Sequence, residues 1–376
     1  MKPVNPEVLL SVSQIIRYWK YPLEEHEVQT VDSYILTLHR IPYGRAGNKV
    51  SGQRPVIFLQ HGLLSSAVSW ISNLPNNSLA FILADAGFDV WMGNNRGNTY
   101  SRKHATLSTN SREYWAFSFD EMARYDLPAS IDYIVEKTGQ KIYYVGHSQG
   151  TLIGFLAFST VPQLAQKVKA FYALAPVFNA QYLRSLTFKL LFMVPAPLLK
   201  LLVGDKVFLP ETATNKLLAT EVCDNEITGT ICGKIIFSLV GFDPKNLNMS
   251  RIDVYVSHGL QGTSVQNILH YAQTFHNIPN VTQAFDWGSR KQNLAHYNQS
   301  IPPRYNLSSM RVPTALWSGQ HDLLADPEDV ANLVPQIPSL IYHKILPTYN
   351  HLDFVFGLGA PQDIYNEMIE MIKETL

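Results

Sequence analysis

The chain has 376 residues, 46% of them hydrophobic and 16% charged, which describes a globular protein able to bury a large core and excludes a disordered one. Lys plus Arg and Asp plus Glu both number 30, so the formal net charge is zero; with no polybasic run, nucleic acid is excluded as an expected partner. The longest apolar stretch, "SLTFKLLFMVPAPLLKLLVG", is interrupted by Lys189, Pro195, Pro197 and Lys200, so it does not read as a transmembrane segment, although it suits contact with a lipid surface.

In chain order, the opening "MKPVNPEVLLSVSQ" lacks the apolar core of a signal peptide, which taken alone points to the cytosol. "YILTLHRIP" alternates polar and apolar residues, as expected of an antiparallel edge strand. Near-continuous apolar strands follow at residues 54–62, 88–97, 141–148 and 168–176, with helical patterns such as "SLAFILADAG" and "EMARYDLPASIDYIVEKTG" between them. This rhythm predicts an α/β fold with a mostly parallel sheet covered by helices on both faces. From residue 179 to 306 the rhythm disappears, and it resumes with strands at 312–319 and 339–347 and the terminal helix "PQDIYNEMIEMIKETL". The later strands need the earlier ones as neighbours, so the expected organisation is one core, 1–178 and 307–376, interrupted by a mainly helical insertion at 179–306. Such an insertion would lie over the C-terminal strand edges as a cap, with a lid at about 211–240.

The chemistry centres on "KIYYVGHSQGTLIGFLAF". A buried strand gives way to a helix at Gly146-His147-Ser148-Gln149-Gly150, and a serine at so sharp a reversal needs neighbours without a Cβ. The bland alternative is a glycine-rich turn with a capping serine, but a strand before it and a helix after it favour a nucleophile elbow. A serine needs a base, and the base an orienting acid, which in such sheets follow it in the order acid, histidine. Of the 12 histidines, only His321, His343 and His351 fall in the last two strand–loop units. His343 lies inside a strand, whereas His351 in "PTYNHLDF" follows the final strand and is the expected base. Among the acids of "WSGQHDLLADPEDV", Asp326 precedes Pro327 and reads as a helix N-cap, which leaves Asp322 as the expected acid. Asp353 is a local alternative on the wrong loop. Oxyanion donors are expected at the backbone N–H groups of Gln149 and of Leu63, in the loop His61-Gly62-Leu63 after an earlier strand.

With these residues in view, the chain resembles the acid lipase family of gastric and lysosomal acid lipases, nearest in texture to the gastric members. The resemblance runs nearly end to end, through "SQIIRYWKYP", "LQHGLLSS", "FILADAGFDVWMGNNRGNTYSRKH", "YWAFSFDEMARYDLPASIDYIV", "GHSQGT", "NLNMSRIDVYVSH", "DLLADPEDV" and "YNHLDF". It implies an α/β-hydrolase core, a cap with a mobile lid, and hydrolysis of neutral lipid esters, above all triacylglycerols, with neither metal nor cofactor. The expected partners are a lipid ester and the lipid–water interface, and a monomer is expected. The family's serine, acid, histidine and oxyanion donors fall on Ser148, Asp322, His351, Leu63 and Gln149. Cys223 and Cys232 are the only cysteines, and by themselves they are as compatible with free thiols as with a small closed loop; the resemblance implies that they pair. It also implies a secreted or lysosomal glycoprotein, in keeping with sequons at Asn76, Asn248, Asn280, Asn298 and Asn306. The sequence departs from the family at "GNNRGN", "HGLQGTSVQN" and "GHSQGTL", and Leu152 in the last of these is expected to reshape the acyl site. The rival readings are a sterol-ester or general carboxylesterase, and a lipid-binding protein without turnover.

Overall fold

The structure is a computed structural model that describes residues 5–47, 52–212, 241, 243, 245–278 and 280–376. The chain enters through a short helix, α1 (Val12–Tyr18), and the antiparallel strands β1 (Glu24–Gln29) and β2 (Tyr34–Ile41). The apolar runs then form β3 (Val56–Gln60) and β4 (Asp89–Met92), separated by α2 (Leu79–Asp85). After the two-residue β5 (Lys103–His104) come α3 (Leu127–Thr138), β6 (Ile142–His147), α4 (Gln149–Thr160) and β7 (Val168–Leu174). Every residue of β3, β4 and β6 is buried, so layers cover both faces of the sheet, as continuous apolar strands require.

Between β7 and the next strand of the sheet, the chain forms α5 (Leu186–Met193), α6 (Ala196–Val203), the two-residue strands β8 (Val207–Phe208) and β9 (Thr263–Ser264), α7 (Ile252–Ser257), α8 (Val265–His276) and α9 (Arg290–Tyr297). β8 and β9 pair only with each other, so this part of the described chain adds no strand to the main sheet. The core resumes with β10 (Thr314–Gly319), α10 (Pro327–Leu333), β11 (Leu340–Leu346) and α11 (Asn366–Lys373). Cys223, Cys232 and nearly all of the expected lid, 211–240, lie outside the described residues.

The sheet runs β1-β2-β4-β3-β6-β7-β10-β11, with β5 attached to β2, and is parallel from β4 to β11. One expectation is corrected: β2 is not an edge strand, because β1 pairs outside it. The sequence of β1, "EEHEVQ", carries charge where a strand pattern would show apolar residues. That charge suits an edge, which it protects from further pairing: Glu24 pairs with Arg40 at 2.9 Å, and Glu27 with Lys103. β4 lies on one side of β3 and β6 on the other, so the chain reverses direction across the sheet at the C-terminal ends of β3 and β6. An open α/β sheet forms its ligand crevice at such a point.

At that crevice the turn from β6 into α4 brings backbones almost into contact. A Cβ on Gly146 would stand 2.6 Å from the Gly150 carbonyl carbon, and one on Gly150 would stand 2.2 Å from the Gln60 carbonyl oxygen. Because the obstructions are backbone atoms, neither can move aside as a flexible side chain would. Gly150→Ala is therefore expected to destabilise the fold by about 2–3 kcal/mol or prevent folding, a range set by overpacking of well-filled interiors. Urea unfolding of the purified variant checks this, and a midpoint equal to that of the parent would refute the steric reading.

Candidate active site

Ser148 follows the last residue of β6 and precedes the first of α4, with φ 53° and ψ −116°. Few L-residues adopt a positive φ, and the packing of both flanking elements holds this one there. The Ser148 N–H donates to the Leu174 carbonyl at 3.1 Å, while Thr151 and Leu152 donate back to the Ser148 carbonyl. The side chain is thus left free to project from the turn.

The loops after β10 and β11 meet above it. Gln320 N–H donates to the Leu346 carbonyl at 3.0 Å and His321 N–H to the Tyr349 carbonyl at 3.1 Å. Asp322 is fully buried, and its Oδ1 accepts from the N–H groups of Leu324 and Ala325 at 2.8 and 2.9 Å. His351 Nδ1 lies 3.0 and 2.9 Å from the two Asp322 oxygens, and its Nε2 lies 2.8 Å from Ser148 Oγ. An ionised carboxylate only accepts, so Nδ1 carries the proton and the Nε2 lone pair faces the serine hydroxyl. This arrangement can draw a proton from Ser148 while Asp322 offsets the positive charge on the ring.

The Gln60–Gly146 register places the loop after β3 beside the elbow. A Cβ on Gly62 would stand 3.1 Å from Ser148 Cβ, so a side chain here would crowd the serine where a glycine lets the backbone lie against it. Among the described residues nothing accepts from the Leu63 N–H. Gln149 opens α4, where the first N–H groups have no partner within the helix. His61 sets the loop's shape. Its Nδ1 donates to the Gly62 carbonyl at 2.8 Å, and its Nε2 accepts from the Asn95 N–H at 3.1 Å. Burial pushes its pKa down to about 4, so the ring is neutral in the tautomer that both bonds require. His147, which sequence reasoning had passed over, donates from Nε2 to the His351 carbonyl at 2.9 Å and ties the base loop to the residue before the nucleophile. Burial, with His351 nearby, pushes its pKa down to about 3. Only its place inside the elbow signalled it.

An apolar cavity opens over Ser148 and His351. Its apolar lining includes Val68, Val177, Leu183, Phe188, Phe192, Tyr255, Leu260, Tyr271, Val355 and Phe356. Among the described residues, no Asp, Glu, Lys or Arg lines it. Several of these residues come from the segment between β7 and β10, which the sequence pattern assigned to a cap without showing which of its residues face the cavity.

The remaining candidates separate cleanly. His343 sits on β11 with Nε2 2.8 Å from Ser318 Oγ, away from the cavity lining, and His321 is exposed. Asp326 caps α10, its carboxylate accepting from the Glu328 N–H at 2.9 Å. Asp353 accepts from the Asn350 N–H at 2.7 Å, and burial raises its pKa to about 7. Leu152 is buried in the core and does not line the cavity, so the expectation that it reshapes the acyl site is corrected: the side chain points away from the crevice. Among the sequons, Asn76, Asn280, Asn298 and Asn306 are exposed, whereas Asn248 is partly buried and caps the turn Met249–Arg251. Among the described residues, no group of three or more His, Cys, Asp or Glu side chains is placed to hold a metal ion.

The alpha/beta hydrolase fold family matches residues 55–358, and a partial alpha/beta-hydrolase lipase region matches residues 12–74. The chain is 58% identical to gastric triacylglycerol lipase of Homo sapiens over 375 residues, which cover 100% of this chain and 94% of that protein. It is 56% identical to human lipase member K, over 99% of this chain and 93% of that one. To human lysosomal acid lipase/cholesteryl ester hydrolase it is 55% identical, over 99% and 92%. Among solved structures, a soluble variant of monoglyceride lipase from Saccharomyces cerevisiae in complex with a substrate analog shares the fold, with a TM-score of 0.55 at 13% identity and coverage of 94% of this chain and 97% of that one.

The neutral state of His61 carries a pH dependence. Its folded pKa, about 4, lies below the ordinary value of 6.5, so on acidification the unfolded chain takes up this proton first. The stability contributed by the neutral ring is complete above about pH 6.5 and fades as pH falls toward 4. His61→Gln removes this linkage. The stability advantage of the parent over the variant is therefore expected to shrink by about 2–3 kcal/mol between pH 7 and pH 4.5, from the 1.36 kcal/mol carried by each pKa unit. Urea unfolding of both proteins at the two pH values measures it, and an advantage that is constant or grows in acid would contradict a buried neutral ring.

Proposed function

This chain belongs to the acid lipase family, and from that premise we propose that it hydrolyses neutral lipid esters, triacylglycerols in particular, through an acyl-serine intermediate. In this reading His351 accepts the Ser148 proton as Oγ attacks the ester carbonyl carbon. The carbonyl π electrons move onto oxygen, where the Leu63 and Gln149 N–H groups receive the charge. Collapse expels the alcohol, protonated by His351, and leaves the acyl group on Ser148. Water, deprotonated by the same ring, then releases the fatty acid and restores the serine. Asp322 keeps the imidazole in the useful tautomer throughout. The observation that carries the reading is the unbroken chain from Asp322 through His351 to Ser148 Oγ at 2.9 and 2.8 Å, opening into a cavity whose described lining is mostly apolar and holds no Asp, Glu, Lys or Arg. A lipid-binding protein would use the cavity but would gain nothing from the chain of hydrogen bonds.

We further propose that residues 179–306 act as a cap, and that α5 and α6 meet the lipid–water interface. Leu186, Leu190 and Met193 on α5 and Leu201 and Leu202 on α6 are each more than half exposed, which is costly in water and favourable against lipid. The two helices bend by 106° at their junction, and each has eight residues, about 12 Å of rise, too short to cross a bilayer core of about 30 Å. The exposed sequons support passage through the secretory route, with a secreted or lysosomal destination; glycan occupancy at these asparagines in the native protein tests that part.

Ser148→Ala and His351→Ala are expected to lower kcat on a short soluble ester by roughly 10⁴–10⁶, whereas His343→Ala changes it no more than a few-fold. Lethality at His343 with survival at His351 would overturn the assignment. A panel of triacylglycerols and sterol esters then reads the alcohol preference. The double change Leu201→Asp with Leu202→Asp should leave turnover of the soluble ester within about twofold but lower activity on emulsified long-chain lipid by tenfold or more, since each buried leucine is worth about 1.5–3 kcal/mol. Equal activity of parent and variant on the emulsion would remove α6 from the interface.

A further inference from the structure

The residue that follows the nucleophile is held by its side chain as well as its backbone, and the hold comes from outside the α/β core. Gln149 is buried, and its Oε1 accepts from Asn267 Nδ2 at 2.8 Å and from the Tyr271 hydroxyl at 3.2 Å. Asn267 and Tyr271 are four residues apart on α8 and so lie on one face of that helix. The orientation of the Asn267 amide is not open to choice. Its Oδ1 receives the Phe119 N–H at 2.9 Å, and a backbone N–H can only donate, so Nδ2 must face Gln149. The same Nδ2 reaches Thr263 Oγ1 at 3.1 Å, and the Asn267 N–H donates to Ser264 Oγ at 2.9 Å, which fixes the start of α8. Tyr271 also lines the cavity over Ser148.

We propose that Asn267 and Tyr271 are positioning residues for the oxyanion hole: through Oε1 of Gln149 they set the direction of the Gln149 N–H, making α8 part of the catalytic frame. The inference rests on the ester-hydrolase reading above. The oxyanion charge exists only near the transition state, so a donor aimed slightly wrong costs rate and leaves ground-state binding almost untouched. α8 is in turn packed on α5. His276 Nε2 donates to the Phe192 carbonyl at 2.9 Å, and the Phe192 and Phe275 rings lie 6.0 Å apart. One helix, α8, thus contributes Tyr271 to the wall of the cavity and holds the side chain of Gln149.

The test is a double-mutant cycle on a short soluble ester, with Asn267→Ala and Gln149→Ala made singly and together. Asn267→Ala is expected to lower kcat about tenfold, a fraction of the roughly 10²–10³ lost when an oxyanion donor is removed, with KM changed less than about twofold. Because Asn267 acts through the Gln149 side chain, the double variant should be no slower than the slower single one. Losses that multiply, or a full-speed Asn267→Ala, would overturn the inference. Should Asn267→Ala fail to fold, Tyr271→Phe replaces it in the same cycle, with an expected loss of about two- to fivefold that also vanishes in the Gln149→Ala background. Failure of the underlying reading looks different: the parent would then show no turnover that Ser148→Ala removes.

Discussion

The backbone of Ser148 can hold φ 53° and ψ −116° only because the chain gives up a side chain two residues before it and again two residues after it. Gly150 lies so near β3 that its missing Cβ would meet the Gln60 carbonyl oxygen, and Gly146 lies as near to Gly150 itself. Gln60 is the last residue of β3, and the loop it begins carries His61, Gly62 and Leu63. The contact that permits the elbow therefore also fixes the start of the loop proposed to receive the oxyanion. Backbone atoms set this distance, and unlike rotamers they do not drift with small changes in packing.

The second half of the site is built by the same means. At Gly319 an added Cβ would stand 2.3 Å from the Tyr349 carbonyl oxygen, so the acid and base loops touch backbone to backbone before any side chain is placed. Onto this frame come a fully buried carboxylate and a buried imidazole. Burying a carboxylate is unfavourable unless its lone pairs are used, and Asp322 uses them on the N–H groups of Leu324 and Ala325 and on the His351 ring. Arg184 reaches the same turn from the segment that follows β7, donating to the Asp322 carbonyl at 3.2 Å while its Nε contacts Asp326. His147 closes the arrangement by joining the base loop to the elbow.

The parts of this site visible in the sequence are those whose demands fall on consecutive residues. Glycines around Ser148, an aspartate just past a strand, and a histidine before the last helix each show as a local pattern, because backbone geometry makes the requirement. The strand β1 escaped notice because its six residues, "EEHEVQ", serve an exposed edge and so lack the apolar signal by which strands are recognised. The run holding Phe188 and Phe192 was legible as part of a cap over the site, but which helix residues wall the cavity, Tyr255 among them, was not, because their burial is decided by what lies across from them. Leu152 shows the converse error. Closeness in sequence to the nucleophile suggested a place in the site, but the helical turn carries its side chain into the core. The pairing of Gln149 with Asn267, 118 residues apart, leaves no mark in either local pattern.

That long-range pairing bears on how a lipid ester could be handled at all. A cavity wall made of α5 and α7 must admit a bulky substrate, whereas the oxyanion donors and the triad need fixed positions. The fold meets both needs by giving one segment two kinds of contact. Toward solvent it presents exposed apolar residues on α5 and α6, among them Leu190 and Leu201. Toward the core it is tied by directed bonds, from Asn267 and Tyr271 to Gln149 and from Arg184 to the turn bearing Asp322. Apolar contacts lack direction and can slide, while hydrogen bonds between buried groups are costly to break and keep their geometry. The bonds from α8 to Gln149 therefore hold the residue proposed to receive the charge, while the exposed apolar faces of α5 and α6 are left for the lipid surface proposed above.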